Sequence, residues 1–317
     1  MKKANNMVIA QSGGPSMVIN ESLVGAVLAA RSKRTGARIV AEEAEKDGYP
    51  LVCFHIPKTI DNDLRSCDHT PGFGSAARFV ASAVKGDDLD NRALGGVKID
   101  VVMGRDAGFL TAASALARER PDDGPHLIYL PEVPFSEDRF VKDVKAAVKK
   151  FGRCVIAVSE GIRGKDGVAI GAKLGSGEVD SHGNVQMSGT GALGDALARL
   201  VKAKAGVKRV RADTFGYLQR SFPGVRSCTD AEEAFLAGAA AVRAALESGV
   251  TKGTIGILRE EGRAYRVAYA ARPIADAAKE TRSLPREFIA KNGHDVTQAF
   301  IDYARPIVGD LPPCAVI

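Results

Sequence analysis

Short apolar runs and longer amphipathic stretches alternate along most of the chain. The runs have the length of strands, and the stretches carry apolar residues at the spacing of a helix face. We predict strands at residues 7–10, 51–56, 99–104, 126–130, 154–159 and 253–258. Helices are predicted at residues 16–34, 78–89, 108–120, 136–152 and 230–249. This order predicts an α/β fold with mainly parallel sheets, in which ligands bind beyond the carboxyl ends of the strands.

The alternation is interrupted once, after the first predicted helix. Residues 37–48 have a helical pattern that ends at Gly48, a helix stop signal. Two predicted helices therefore follow one another where a strand should separate them.

Composition and charge restrict the function classes. The chain has 317 residues, 45% of them hydrophobic, and a net charge of +6. This balance favours anionic substrates such as phosphates and, weakly, nucleic acid, but 6% aromatic residues and no Trp argue against base stacking. Five scattered cysteines without CxxC spacing predict a reduced, cytoplasmic protein. The segment before Gln11 is too short for a signal peptide core, and no apolar run reaches the ~20 residues of a membrane helix.

Polar residues are concentrated in IPKTIDNDL (56–64), immediately after a predicted strand. They are Lys58, Thr59, Asp61, Asn62 and Asp63. An Asx turn that caps a helix needs fewer polar groups than this. One carboxylate could accept a proton from a substrate hydroxyl while the other binds Mg²⁺ or orients the base. Lys58 would stabilise negative charge on a transferring phosphoryl group.

Gly13 and Gly14 follow the first predicted strand and precede a helix. This arrangement allows a phosphate to approach backbone N–H groups, but it is also an ordinary tight turn. VMGRDAG (102–108) offers Gly104 for close approach and Arg105 for a phosphate or sugar oxygen. In LPEVPF (130–135), Glu132 is either a solvated loop charge or a ligand for sugar hydroxyls.

Three further segments of the chain are rich in charged residues. RADTFGYLQR (211–220) carries two arginines and a tyrosine at a turn. The basic run at 202–211 is predicted to be a solvated face. KGDDLDN (85–91) resembles an acidic metal loop, but it lies in a helical pattern and is predicted to be surface.

QSGGPSMVIN, PKTIDNDL with TPGFGSAAR, VMGR, PEVPF and RADTFGYLQR occur in this order in the phosphofructokinase family. The chain resembles its pyrophosphate-dependent branch from about residue 7 to the end, including LPREFI (284–289). The resemblance implies two Rossmann-like lobes. One, of residues 1–72 and about 221–275, would bind the phosphoryl donor, and the other, of residues 73–220 and about 276–317, would bind the sugar phosphate.

The resemblance implies phosphoryl transfer to the 1-hydroxyl of fructose 6-phosphate, a step of glycolysis, with Mg²⁺. Asp61 matches the proton acceptor, Asp63 the carboxylate near the metal, and Lys58 a charge-stabilising residue. The matches to substrate-binding residues are Thr59, Ile60, Met103, Gly104, Arg105, Glu132, Arg211, Tyr217 and Arg220. Gly13, with Gly14, matches the donor site. A homo-oligomer, dimer or tetramer, is also implied, with Lys98 as a match for a basic residue that reaches a neighbouring subunit.

Lys58 favours pyrophosphate over ATP, because ATP users commonly have Gly at this position. The Gly-rich acidic loop that normally binds donor and metal, GGDD or GGNDS in the family, is absent from this sequence. Its absence coincides with the consecutive helices and predicts an internal deletion near Gly36. The first lobe would then lack strands. The alternatives are therefore an ATP-dependent phosphofructokinase, a sugar-phosphate binder impaired in catalysis and, least supported, a nucleic-acid binder.

Overall fold

The strands and helices follow the predicted alternation. The computed structural model describes residues 16–30, 48, 52–65, 67–171, 191–262, 264–273 and 281–315. Its strands are β1 (Cys53–His55), β2 (Gly96–Val102), β3 (Leu127–Tyr129), β4 (Arg153–Ser159), β5 (Val210–Thr214), β6 (Lys252–Arg259) and β7 (Val267–Arg272). Its α-helices are α1 (Ile19–Ala30), α2 (Phe73–Leu94), α3 (Phe109–Ala113), α4 (Glu137–Phe151), α5 (Ala192–Leu200), α6 (Leu218–Ser221), α7 (Cys228–Glu247) and α8 (Gln298–Val308). The predicted strand at 7–10, the predicted helix at 37–48 and the predicted deletion near Gly36 lie outside the described residues.

The chain forms two compact units, each built from two segments. The first comprises Met1–Ser75 and Arg226–Arg282, and the second comprises Ala76–Val225 and Ser283–Ile317. Which ligand each unit binds stays a prediction.

In the first unit, the described strands form a sheet in the order β1–β6–β7. β1 and β6 are parallel, and β7 is antiparallel to β6. α1 packs against α7 through two glycines. A Cβ added to Gly25 would lie 1.9 Å from the Phe235 carbonyl oxygen, and one added to Gly238 would lie 2.0 Å from that of Ser22. The two helix backbones can approach this closely only because both positions lack a side chain.

The second unit has a parallel sheet in the order β3–β4–β2–β5. Every residue of β4 is buried, as expected for a strand covered on both faces. Helix α4 covers this sheet with an apolar face that includes Phe140 and Val144, and it ends at Gly152 in the left-handed conformation (φ 74°). The parallel strands bring the ends of β2, β3 and β4 to one edge of the sheet, where several predicted site residues follow.

The prediction that residues 85–91 are a surface segment is wrong. The segment lies within α2, but Lys85, Asp88 and Asn91 are buried. Arg153 at the start of β4 forms an ion pair with Asp88, with Nη2 3.2 Å from Oδ2. A cation from a distant strand therefore draws this part of the helix inward. The lysines of the basic run, Lys202, Lys204 and Lys208, are exposed as predicted.

No helix in the described part of the chain combines the length and apolar character that a bilayer-spanning segment needs.

Candidate active site

The TIDND loop follows β1 and has a defined internal geometry. The Asp61 amide donates to Thr59 Oγ1 at 3.2 Å. Asn62 is buried and has φ 59°, a left-handed conformation that Asn adopts more readily than most residues. Thr70 contacts the residues on both sides of Asp61: its amide donates to Asn62 Oδ1 at 3.1 Å, and its hydroxyl donates to the Thr59 carbonyl at 2.8 Å. The backbone at Asp61 is thus fixed from both sides.

Arg282 holds the same loop from the far end of the chain. Its Nε donates to the Asn62 carbonyl at 2.8 Å, and its Nη2 donates to Asn62 Oδ1 at 2.9 Å. The guanidinium also donates to the carbonyls of Cys67 and Asp68, and the Arg282 amide donates to the Asp63 carbonyl at 2.7 Å. The planar, five-donor guanidinium suits such a set of converging acceptors.

The turn between this loop and α2 depends on Asp230, a buried residue of α7. Its Oδ1 accepts from the Gly72 amide and its Oδ2 from the Ser75 amide, both at 2.8 Å. Gly72 has φ 103°, which favours glycine. A carboxylate that accepts N–H groups at the first turn of a helix is a capping arrangement, here supplied from a distant part of the chain.

In the second unit, the MGR motif follows β2 and leads into α3. Gly104 has φ 126°, and a Cβ there would lie 2.6 Å from the Ala107 carbonyl oxygen. Ser159 donates to the Gly104 carbonyl at 2.7 Å. A Cβ added to Gly161 would lie 2.0 Å from the Arg105 carbonyl oxygen, so a glycine at 161 is required for the Arg105 backbone to lie where it does. Two neighbouring strand ends thus determine the position of the Arg105 backbone.

Glu132 lies beyond β3, and one of its carboxylate oxygens is not used by the described residues. Its Oε1 accepts from the amides of Gly108 at 2.9 Å and Leu284 at 2.8 Å. Its Oε2 is buried and has no hydrogen-bond partner among the described residues. Burial raises the pKa of this carboxyl, and the two backbone hydrogen bonds oppose the increase. A buried acceptor without a partner suits a ligand hydroxyl.

The YLQR turn is joined to the MGR motif by Gln219, a fully buried residue. Gln219 Oε1 accepts from the Met103 amide at 3.2 Å, and its Nε2 donates to the Gly216 carbonyl at 2.9 Å. The Arg220 guanidinium lies over the Tyr217 ring, 4.4 Å from its centroid. This stacking orients a cation beside the motif, as a phosphate site requires.

Arg211 does not join this group. Arg211 lies on β5 and pairs in register with Lys98 of β2. Lys98 is five residues before Met103, so Arg211 and Met103 are separated by roughly 16 Å along the strand direction. Gly13 and Gly14 lie outside the described residues. Within each unit, the structure therefore brings Lys58–Asp63 into one loop and places Met103–Arg105 beside Tyr217 and Arg220, while Arg211 stands apart.

Sequence reasoning missed the residues that position these motifs, namely Arg282, Asp230, Thr70, Gln219 and Gly161. Gln219 and Thr70 could have been found, because Gln219 lies inside YLQR and Thr70 begins TPGFGSAAR. Arg282, Asp230 and Gly161 carry no local signal in the sequence.

Comparisons with known proteins identify the family. Residues 34–245 match the phosphofructokinase family. The chain belongs to this family of phosphotransferases, whose members generally use a divalent metal ion.

Similar proteins indicate the pyrophosphate-dependent branch of this family. The pyrophosphate–fructose 6-phosphate 1-phosphotransferase of Rhodospirillum rubrum is 58% identical over 279 residues, which are 88% of this chain and 68% of that protein. The enzyme of the same name from Halomonas elongata is 37% identical over 86% of this chain and 65% of its own length. The pyrophosphate-dependent phosphofructokinase structure from Marinobacter aquaeolei has a TM-score of 0.83 and 27% identity, covering 98% of this chain and 94% of that one. The matches thus span about two thirds of the curated relatives.

Proposed function

We propose that the chain transfers a phosphoryl group from pyrophosphate to the 1-hydroxyl of fructose 6-phosphate, giving fructose 1,6-bisphosphate, a step of glycolysis. The observation that carries the proposal is the TIDND loop, in which the residues on both sides of Asp61 are held by Thr70. The names of the similar proteins state the same donor and acceptor. A cytoplasmic location is proposed with it, because none of the five cysteines is in a disulfide.

Asp61 is the proposed general base. Its carboxylate would accept the proton of the sugar hydroxyl as the oxygen attacks phosphorus. A general base must stay oriented toward the proton that it takes, and a backbone fixed on both sides meets that need. Since phosphoryl transfer asks little covalent chemistry of the protein, positioning and charge supply most of the rate.

Lys58 and Asp63 complete the charge pattern of the loop. Asp61 and Asp63 are partly exposed carboxylates on one loop, and hard oxygen donors of this kind suit Mg²⁺. Mg²⁺ bound there would supply positive charge to the donor phosphates. Lys58 would provide a further cation, which favours the small and highly charged pyrophosphate over ATP.

The second unit is proposed to bind the sugar phosphate. Arg220, oriented by Tyr217, would bind the 6-phosphate, and Arg105 would contact a phosphate or sugar oxygen. Glu132 would accept a hydrogen bond from a sugar hydroxyl at its buried Oε2, which has no partner among the described residues. Thr59, Ile60, Met103 and Gly104 keep the contact roles that the family resemblance implies.

Arg211 is exposed on β5, away from Met103. We propose that the protein is a homo-oligomer in which Arg211 serves the sugar site of a neighbouring subunit. Lys98, for which the resemblance implies that role, is buried and forms ion pairs with Asp87 and Asp213 of its own chain, so it is not part of this proposal.

The test is turnover of fructose 6-phosphate with pyrophosphate and Mg²⁺, comparing the parent with Asp61→Asn. We expect kcat to fall about 10²- to 10⁴-fold, the usual contribution of a general base, while the Kd for fructose 6-phosphate changes little. Asp138→Asn is the control, since its side chain is 95% exposed on α4. Equal rates in the parent and Asp61→Asn would refute the assigned base.

The second candidate is a sugar-phosphate binder with impaired catalysis. The absence of the family's donor loop from the sequence favours it. Here fructose 6-phosphate would raise the melting temperature, but neither pyrophosphate nor ATP would support turnover. Turnover with ATP alone would instead identify an ATP-dependent phosphofructokinase.

A further inference from the structure

His69 is a fully buried histidine between two carboxylates, and the proposed mechanism does not use it. Its Nδ1 lies 2.8 Å from Asp68 Oδ2, and its Nε2 lies 2.5 Å from Glu233 Oε2 on α7. A neutral imidazole has only one N–H, so it can donate to only one of these carboxylates. With both carboxyl groups ionised, both hydrogen bonds can form only when the ring is an imidazolium.

The charged and titratable groups around His69 come from each element packed on it. Tyr265 donates to Glu233 Oε1 at 2.7 Å, and Arg259 Nε donates to Asp68 Oδ2 at 3.3 Å. From α7, Asp230 interacts electrostatically with the ring. Arg282 donates to the Asp68 carbonyl and also acts on the Asp68 carboxylate. Apart from the two arginines, these surroundings are acidic or neutral and favour a charged ring.

The electrostatics agree with this geometry. Burial alone would lower the pKa of His69, but the hydrogen bonds to Asp68 and Glu233 outweigh it and raise that pKa to about 8. Each pKa unit corresponds to about a tenfold change in the equilibrium between the protonation states.

His69 is adjacent to the residue that fixes the proposed base. Thr70 donates to Thr59 and to Asn62, which flank Asp61. Any displacement of the His69 backbone is therefore transmitted to the backbone on both sides of Asp61. Glu233 in turn fixes His69 to α7.

We propose that His69 is a positioning residue, whose imidazolium form holds the Asp61 loop against α7 and whose deprotonation loosens that loop. The inference rests on the proposed function for its effect on catalysis. Its structural part can be measured without any substrate.

The test compares the parent, Glu233→Gln and Glu232→Gln. The Gln at 233 keeps an oxygen acceptor but removes the charge, whereas Glu232 is exposed on the same helix and serves as the matched control. Melting temperature is measured from pH 5.5 to 9.5, and the His69 ring is titrated by ¹⁵N NMR. We expect the parent to lose stability as pH rises through 8, with Glu233→Gln losing it at lower pH and Glu232→Gln matching the parent.

The position of the loop is read from hydrogen exchange of residues 59–70, corrected for intrinsic rates. We expect protection to fall about tenfold for each unit by which the His69 pKa is lowered. His69→Gln should abolish the alkaline change altogether. In turnover assays, the alkaline limb of kcat should move with the NMR titration.

Identical pH profiles of stability and exchange in the parent and Glu233→Gln would overturn the proposal, as would a His69 ring that is neutral at pH 6. If hydrogen exchange of the loop follows the His69 titration but the chain shows no turnover, only the proposed function is refuted. If Glu233→Gln left the pH profile of turnover unchanged, only the positioning role would be refuted.

Discussion

Replacing Arg282 tests whether the TIDND loop depends on the distant segment that holds it. In Arg282→Met, an apolar side chain replaces the aliphatic stem of the arginine. The variant lacks the four hydrogen bonds that the guanidinium donates to Asn62, Cys67 and Asp68. The hydrogen bond from the Arg282 amide to the Asp63 carbonyl remains. The variant therefore removes the side-chain contacts without removing the backbone crossing.

The expected loss follows from the number of hydrogen bonds and from their exposure. A hydrogen bond to a charged group contributes about 1.5–3 kcal/mol, but contributions from one guanidinium are not additive. Arg282 is partly exposed, so in the variant water can donate to some of the oxygens that accept from the guanidinium in the parent. We expect the free energy of unfolding to fall by about 2–4 kcal/mol in total.

The assay combines thermal unfolding with hydrogen exchange of residues 59–70. About 1 kcal/mol corresponds to 2–4 °C in domains of roughly 150–250 residues, so a fall of several degrees is expected. Protection should be lost first in the loop. Arg272→Met, at an exposed position on β7, is the control for removing a positive charge. An Arg282→Met variant with unchanged melting temperature and loop protection would refute the idea that this guanidinium fixes the loop.

Two further predictions concern the second unit. Gly161→Ala should raise KM for fructose 6-phosphate more than it lowers kcat, because the new Cβ would displace the Arg105 backbone, 2.0 Å away; Gly86→Ala, a helical position with open space, should be neutral or stabilising by about 0.5–1 kcal/mol. Glu132→Gln should raise the Kd for fructose 6-phosphate roughly 10- to 100-fold by calorimetry, since the charged acceptor is lost. An unchanged KM in the first variant or an unchanged Kd in the second would contradict the assigned roles.

The sequence predicted the strands that lie in apolar runs better than the strands that contain many polar residues. β4 and β6 were predicted within a few residues, because buried parallel strands consist of nearly continuous apolar runs. β5 and β7 were not predicted. β5 (VRADT) has a single buried residue, Val210, and β7 has none, so their patterns carry little apolar signal. Position at a sheet edge does not explain the difference, because β1 and β3 also lie at edges of the described sheets and were predicted from their apolar runs.

The same distinction between local and distant signals applies to the candidate site. The motif residues lie within short segments at strand ends, where polar groups interrupt apolar runs, and such interruptions are visible in a sequence. The residues that hold them are remote: Arg282 is 220 positions from Asn62, and Asp230 is 155 positions from Ser75. No periodicity connects positions that far apart.

The discontinuous first unit explains why its loop depends on remote partners. Its two segments, Met1–Ser75 and Arg226–Arg282, are separated in sequence by most of the second unit. The first segment carries the proposed base, and the second carries Asp230, Glu233 and Arg282. The loop acquires its full set of hydrogen bonds only after the second segment has joined, so the carboxylates of TIDND cannot be set by local sequence alone. Orientation of Asp61 is thus a property of the folded unit, and changes at Arg282 or Glu233 should alter the loop without touching the residues that define its motif.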